Sequence, residues 1–323
     1  MHAITTQILE CTRAKAIKDS EEVQSLWSGY GSIKRYTLEG GKYPSVIVKH
    51  ILLPESGKHP RGWNTDLSHE RKVKSYAVES YWYRHYACLL GSECKVPRLL
   101  HAAEEGSSRL LVMEDLNALG FPGRLSPDTV SLGAAKNCLT WLARFHARFM
   151  QVPPKGLWET GTYWHLATRP DVWKKMKHIP LQQAAPAIDQ RLNAAAFQTL
   201  VHGDAKLANF CFGPEEQVAA VDFQYVGRGC GIKDVAYFIS SCFAEEACEA
   251  YEEDLLEHYF KSLEINMDKY LDFQLVKQEW SRLYKFAWAD LYRFLDGWSA
   301  GHWKLHSYSE RLTRSVLDEL NEL

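Results

Sequence analysis

No apolar run in these 323 residues approaches the ~18 that a membrane-spanning helix needs. None of the eight cysteines stands in a C-x-x-C pair, and no Cys/His array has zinc-ligand spacing. Nothing marks the chain as secreted. The first 19 residues hold Glu10, Arg13, Lys15 and Lys18 but no apolar segment, so a signal peptide is not expected. The cysteines are therefore expected to be reduced, mostly buried thiols of a cytoplasmic protein. There is no excess of charge: Lys+Arg is 38 against Asp+Glu at 40, a net of −2. That excludes a strongly basic nucleic-acid binder. Internal repeats and low-complexity tracts are absent too. What remains is an ordinary globular composition, 46% hydrophobic and 24% charged. A chain this long can build its core without disulfides. It is rich in Trp (11) and Tyr (16).

The pattern changes along the chain. Residues 32–38 and 45–53 read as strands, joined by a turn at Gly40-Gly41. A polar loop over 54–66 with Pro60, Gly62 and Trp63 leads to a helix over 68–90. Asp66 or Ser68 is its candidate cap and Gly91 its stop. Residues 96–101 and 109–113 read as two further strands. After Asp115, helical periodicity dominates. Cys138, Leu142, Phe145 and Phe149 form one stripe. A long amphipathic helix runs from Trp280 to Trp298. The fold class expected is α+β with two lobes: a small sheet with one helix over 1–115, and a mainly helical part over 116–323.

The residues with chemistry lie between 202 and 222. His202-Gly203-Asp204 follows a short apolar strand, Asn209 comes five positions later, and Asp222-Phe223 ends the next strand. A hairpin turning at Gly213-Pro214 would set Asn209 and Asp222 side by side. An amide oxygen and a carboxylate are hard ligands suited to Mg²⁺ when phosphates complete the shell. A separate carboxylate, Asp204, would orient a hydroxyl and take its proton. Lys49 in an apolar strand is costly unless paired; the alternative is a solvated lysine on an edge strand. The loop Ser28-Gly29-Tyr30-Gly31-Ser32 could offer backbone N–H groups to phosphates or be a plain hairpin turn. His146, on the Cys138 stripe, reads as a core histidine.

His202-Gly203-Asp204…Asn209…Asp222 resembles the superfamily of aminoglycoside phosphotransferases and choline kinases, with the strongest similarity to its ecdysteroid-kinase-like branch. The resemblance covers about 29–303. It implies a two-lobe, protein-kinase-like fold, with transfer of the ATP γ-phosphate to a small-molecule hydroxyl. It makes Asp204 the base and Asn209 and Asp222 the Mg²⁺ ligands. Lys49, on the third strand, would hold the α/β-phosphates and pair with Glu79, in preference to Glu70, from the helix. Gly29 and Gly31 would cover the phosphates, although Lys34 stands where a third glycine is wanted. Glu114 and Leu116 would belong to a hinge that meets adenine through the backbone. Lys206 would reach the transferring phosphate, and His202 and Asp234 would brace the catalytic loop, although Asp234 also suits an ordinary helix cap.

A protein kinase is the first competing reading. Gly203 in place of an arginine, and only eleven residues between Asp222 and Asp234, count against it. A pseudokinase is disfavoured by the presence of Lys49, Asp204, Asn209 and Asp222 together. The acceptor pocket is expected among the C-terminal helices, where Trp residues concentrate. Aromatic faces beside Asp290 or Asp296 would suit a cationic head group, an amino alcohol such as choline or an aminoglycoside. A broad apolar pocket would suit a lipophilic alcohol. Trp280 and Trp298 read as core, and Trp288 as free to face a ligand.

Overall fold

The structure is a computed structural model and describes residues 2–26, 29–53 and 66–322. Ser28 and the loop residues Pro60, Gly62 and Trp63 lie outside the described residues, as does the side chain of the candidate cap Asp66. The chain runs α1 (His2–Thr12), β1 (Ala16–Ser25), β2 (Gly31–Glu39), β3 (Ser45–Leu52), α2 (Asp66–His85), β4 (Leu99–Glu105) and β5 (Ser108–Glu114). It continues through α3 (Leu132–Arg148), α4 (Pro170–Lys174), α5 (Ile179–Asn193), β6 (Thr199–Val201), β7 (Phe210–Phe212), β8 (Val218–Ala220) and β9 (Gly227–Gly229). Four helices follow: α6 (Ile232–Cys242), α7 (Glu245–Asn266), α8 (Phe273–Trp298) and α9 (Ser307–Asn321). Two compact units form. One comprises Met1–Gly91, Lys95–Gly123 and Cys211–Val221; the other Ser92–Cys94, Arg124–Phe210 and Asp222–Leu323.

The first unit is a five-stranded antiparallel sheet in the order β1-β2-β3-β5-β4. Side chains alternate across it. Val46 and Val48 of β3 join Leu38, Leu110 and Val112 beneath Ile8 of α1. On the opposite face Ile51 packs against Tyr76 of α2. Lys49 shares parity with Ile51, so the pleat turns it toward α2. Since β3 is central, the solvated-edge reading of Lys49 does not hold.

Several boundaries move. α1 and β1 were not expected. β1 is an edge strand whose residues are mostly exposed and charged, which leaves no apolar alternation to read. The fourth strand begins at Leu99, after Pro97, whose missing N–H suits it poorly to a ladder. α2 ends at His85 and not at Leu90: the backbone tightens to a 3₁₀ turn in which Leu89 N donates to Tyr86 O at 2.9 Å.

The second unit is helical. The stripe Cys138, Leu142, Phe145 and Phe149 is buried along and just past α3, which Ser131 caps by accepting from Ala134 N at 2.9 Å. α8 begins a full turn and more before Trp280, where Asp272 caps it. Trp280 is core, but Trp298 at the end of the helix is 46% exposed, stacked on Phe294 and beside His302. Of the cysteines, six are buried and none is bonded to another. Burial pushes the thiols of Cys94, Cys230 and Cys242 well up, and that of Cys248 up to about 12, so they stay protonated. Among the described residues no helix is long and apolar enough to cross a membrane.

Candidate active site

β6 pairs antiparallel with β9 and delivers His202-Gly203-Asp204 at its end. Gly203 has φ +79°, and a Cβ there would collide with the Tyr225 carbonyl oxygen. Only glycine fits, so an arginine cannot occupy this position. His202 is fully buried, its ring 4.6 Å from that of Phe223, and its Nδ1 accepts from Asp204 N at 3.3 Å.

The Asp204 carboxylate is 6% exposed and meets three donors. Oδ2 accepts from Lys206 Nζ at 3.1 Å and Asn209 Nδ2 at 3.2 Å, while Oδ1 accepts from Tyr237 OH at 3.2 Å. Asn209 Nδ2 also donates to the Asp204 carbonyl at 2.7 Å. The Lys206 side chain is partly exposed, at 39%. Burial opposes its charge, but Asp204 and then Asp222 outweigh this and raise its pKa. For Tyr237, burial and then Asp204 push the pKa well up, so the phenol remains a donor.

Helix α6 holds this loop at three points. Asp234 accepts from His202 N at 2.6 Å and Gly203 N at 3.0 Å, Tyr237 reaches Asp204, and Ser241 Oγ accepts from Leu207 N at 2.8 Å. Positions 234, 237 and 241 lie on one face of the helix. Asp234 makes no cap bond in α6, whose cap position is Gly231, so the brace is its role and the cap is not. Its Oδ2 also lies 3.1 Å from His146 Nε2, and Tyr259 OH takes the other ring nitrogen at 2.8 Å. His146 is thus a satisfied core residue.

Asn209 and Asp222 flank the β7–β8 hairpin. Asp222 has φ +70°, a sparsely populated conformation for a residue with a side chain, of the kind that clusters at functional sites. Its Oδ1 accepts from Gln224 Nε2 at 2.7 Å. Asn209 turns its amide nitrogen to Asp204, which leaves Oδ1 as the atom that could meet a cation. Among the described residues no three His, Cys, Asp or Glu side chains gather as a metal site. An Asn–Asp pair fits Mg²⁺ only if phosphate oxygens complete the shell, which is the chemistry this donor set implies.

In the other unit, Lys49 Nζ lies 2.6 Å from Glu79 Oε2, both within 3% of full burial. Glu70 is exposed. At the end of β5, Glu114 N donates to Arg98 O at 3.0 Å, and its carboxylate meets Lys95 Nζ at 3.3 Å. The Leu116 carbonyl accepts from Phe121 N at 2.8 Å and Leu119 N at 3.1 Å, so a base contact at Leu116 falls to its N–H. Gly29 lies in the β1–β2 connection and Gly31 opens β2, both with positive φ, and Leu26 N donates to Gly31 O at 2.8 Å.

The sequence profile of the phosphotransferase enzyme family matches residues 26–273. The chain belongs to that family. Among solved structures it is similar to choline kinase LicA from Streptococcus pneumoniae, with TM-score 0.57 and 12% identity over 100% of this chain and 99% of that one. It is also similar to amicoumacin kinase hAmiN in complex with AMP-PNP, Ca²⁺ and Ami, with TM-score 0.53 and 14% identity over 98% of this chain and 92% of that one. A thermostable mutant of aminoglycoside phosphotransferase APH(4)-Ia, in ternary complex with ADP and hygromycin B, aligns with TM-score 0.51 and 12% identity over 97% and 98%. These likenesses place the two-lobe kinase-like fold. No curated protein matches the sequence. The family match does not reach down to a branch such as the ecdysteroid kinases.

For this phosphotransferase the acceptor-side expectations need correction. Trp288 does not face a ligand. It is 1% exposed and packs edge-on against Tyr308 of α9 with ring centroids 5.1 Å apart. Asp290 is fully buried and internally neutralised: Arg293 Nε donates to it at 3.0 Å, Trp164 Nε1 at 2.9 Å, and Lys233 Nζ lies 3.6 Å away. Burial alone would raise its pKa, but Arg293 and Lys233 hold it below the ordinary carboxylate range. Asp296 accepts from the backbone N–H groups of Lys177 and His178 at 2.7 and 3.0 Å. Both carboxylates offered to a cationic head group are engaged. Tyr237, Ser241 and Lys304 were missed. The first two carried a signal, their helical spacing from Asp234. Lys304 carried none, lying beyond the family match.

Proposed function

We propose that this phosphotransferase moves the γ-phosphate of MgATP to a hydroxyl of a small molecule, with Asp204 as the general base. The observation that supports this is a carboxylate fixed by three donors on a loop whose backbone is bonded to α6. Asp204 orients the acceptor hydroxyl and takes its proton as the new O–P bond forms and ADP leaves. Lys206, already against Asp204, offers positive charge to the phosphoryl oxygens in the transition state. Asn209 and Asp222 would hold Mg²⁺, which supplies charge neutralisation on the phosphates. Lys49, held by Glu79, binds the α/β-phosphates, the Gly29–Gly31 connection covers them, and the Glu114–Leu116 segment meets the base.

A small acceptor is favoured over a protein by the segment after Asp222. Within its few residues β9 pairs with β6 through Val201↔Gly227 and Thr199↔Gly229, which leaves little chain to dock a peptide. The test is Asp204→Ala. Turnover with a hydroxyl acceptor should fall by at least ~10²-fold while nucleotide binding persists. Turnover like that of the native enzyme would refute the mechanism.

A further inference from the structure

Three lysines of this chain are buried among the described residues: Lys49, Lys233 and Lys304. Lys49 pairs with Glu79 at 2.6 Å and Lys233 with Asp290 at 3.6 Å. Lys304, 8% exposed, has no carboxylate within ion-pair distance among the described residues. An ammonium removed from water is costly unless an anion meets it. Its backbone is fixed: Lys304 N donates to His302 Nδ1 at 3.3 Å, and Ser309 Oγ donates to its carbonyl at 3.0 Å. Its neighbour Leu305 packs onto the Trp164–Tyr237 cluster. The backbone that carries this side chain is therefore held in place.

Its position relates it to the catalytic carboxylate. Nζ lies 4.6 Å from the centroid of the Tyr237 ring and 5.6 Å from that of Trp303. Tyr237 is the residue whose hydroxyl donates to Asp204 Oδ1 at 3.2 Å. Lys304 thus lies over the face of the ring whose hydroxyl bonds the proposed base. The other groups that bear on it electrostatically are the Cys242 and Cys248 thiols, Asp204 and Lys206. Burial pushes its pKa down to about 8, which leaves it mostly charged at neutral pH. The Tyr237 and Trp303 faces are already met by a cation of the protein itself, and Asp290 and Asp296 are engaged elsewhere.

We propose that Lys304 is the acceptor-selecting residue of this enzyme, and that the acceptor is a hydroxylated small molecule carrying an anionic group, a carboxylate or a phosphate, which the Lys304 ammonium binds while Asp204 receives the hydroxyl. This rests on the kinase reading above and replaces the cationic acceptor weighed from the sequence with one of opposite charge. An anion completes the pair that the buried ammonium lacks. A quaternary amine in the same place would meet like charge.

The experiment is an ADP-release screen of the full chain at pH 7 with hydroxylated compounds grouped by charge. It includes glycerate, glycerol 3-phosphate, glycerol and choline, and is repeated with Lys304→Met and Lys304→Arg. The best acceptors of the native enzyme should be anions; glycerate and glycerol 3-phosphate distinguish carboxylate from phosphate. In Lys304→Met, the ratio of kcat/KM for the best anion to that for its neutral analogue should fall by roughly 30-fold or more, the scale of losing one partner of a desolvated charge pair. Lys304→Arg should restore part of that ratio, which also guards against a folding defect in the Met variant. Best turnover with choline or another cation overturns the proposal. So does an equal fall in kcat for every acceptor, which would assign Lys304 to the transferred phosphoryl group. Failure to phosphorylate any hydroxyl compound would instead sink the kinase reading on which the proposal stands.

Discussion

Lys304 shows how one residue sets opposing demands. Its ammonium is buried and meets no carboxylate within ion-pair distance among the described residues, and its pKa falls from the ordinary 10.5 to about 8. Below about pH 8 both folded and unfolded chains hold the proton, and the full cost of the buried charge is present. Between about 8 and 10.5 the unfolded chain binds more protons, so this residue's contribution to stability improves as pH rises. Lys304→Met should therefore stabilise the enzyme at pH 7 by an amount on the order of 3 kcal/mol, the free-energy equivalent of the pKa difference. The gain should shrink as pH approaches 10. Thermal unfolding of both proteins from pH 7 to 10 checks this; a constant or widening gap contradicts the placement of a charged, buried ammonium. Asp290 behaves differently because Arg293 and Lys233 meet it. A buried charge is tolerable when paired, and an unpaired one costs stability.

At the scale of elements, α6 governs the loop that carries the proposed base Asp204. Every residue from Ile232 to Cys242 is buried, and three of them bond the loop from one face. Asp234 is the strongest of these contacts, since its carboxylate accepts from two buried backbone N–H groups. Asp234→Ala should cost about 3 kcal/mol, because both donors lose their partner inside the protein. Ser241→Ala removes a single neutral bond and should cost about 1 kcal/mol. Both should lower kcat more than nucleotide affinity, because they loosen the loop that carries Asp204. Unfolding curves and saturation kinetics read these effects; Ser241→Ala costing more than Asp234→Ala would refute the ranking. The β6–β9 ladder is the second support, and Gly203 is where its backbone turns into the loop.

At the scale of the whole molecule, the proposed Mg²⁺ would be a partner of the nucleotide and not of the fold. Among the described residues no cluster of acidic, His or Cys side chains holds a cation by itself. Chelation with EDTA should therefore abolish turnover while leaving the unfolding temperature of the nucleotide-free protein within about a degree. Stabilisation by ATP should require added Mg²⁺, by mass action on the folded state, and Asp222→Asn should blunt it. A large loss of stability on chelation alone would show a structural metal and contradict the assignment. The sequence by itself determined the sheet-then-helix order, the strand that carries Lys49, and the Asp204–Asn209–Asp222 spacing, because hydrophobic period and motif spacing are local properties of the chain; that this strand is central was decided by the sheet order. Edge strand β1 escaped it for want of apolar alternation. Only the tertiary structure decided that Glu79 and not Glu70 meets Lys49, that Trp288 is core, that Asp290 is neutralised, and that Lys304 stands one ring away from Asp204. These depend on which faces meet across long separations in sequence, where burial and charge are set by partners that no local pattern announces.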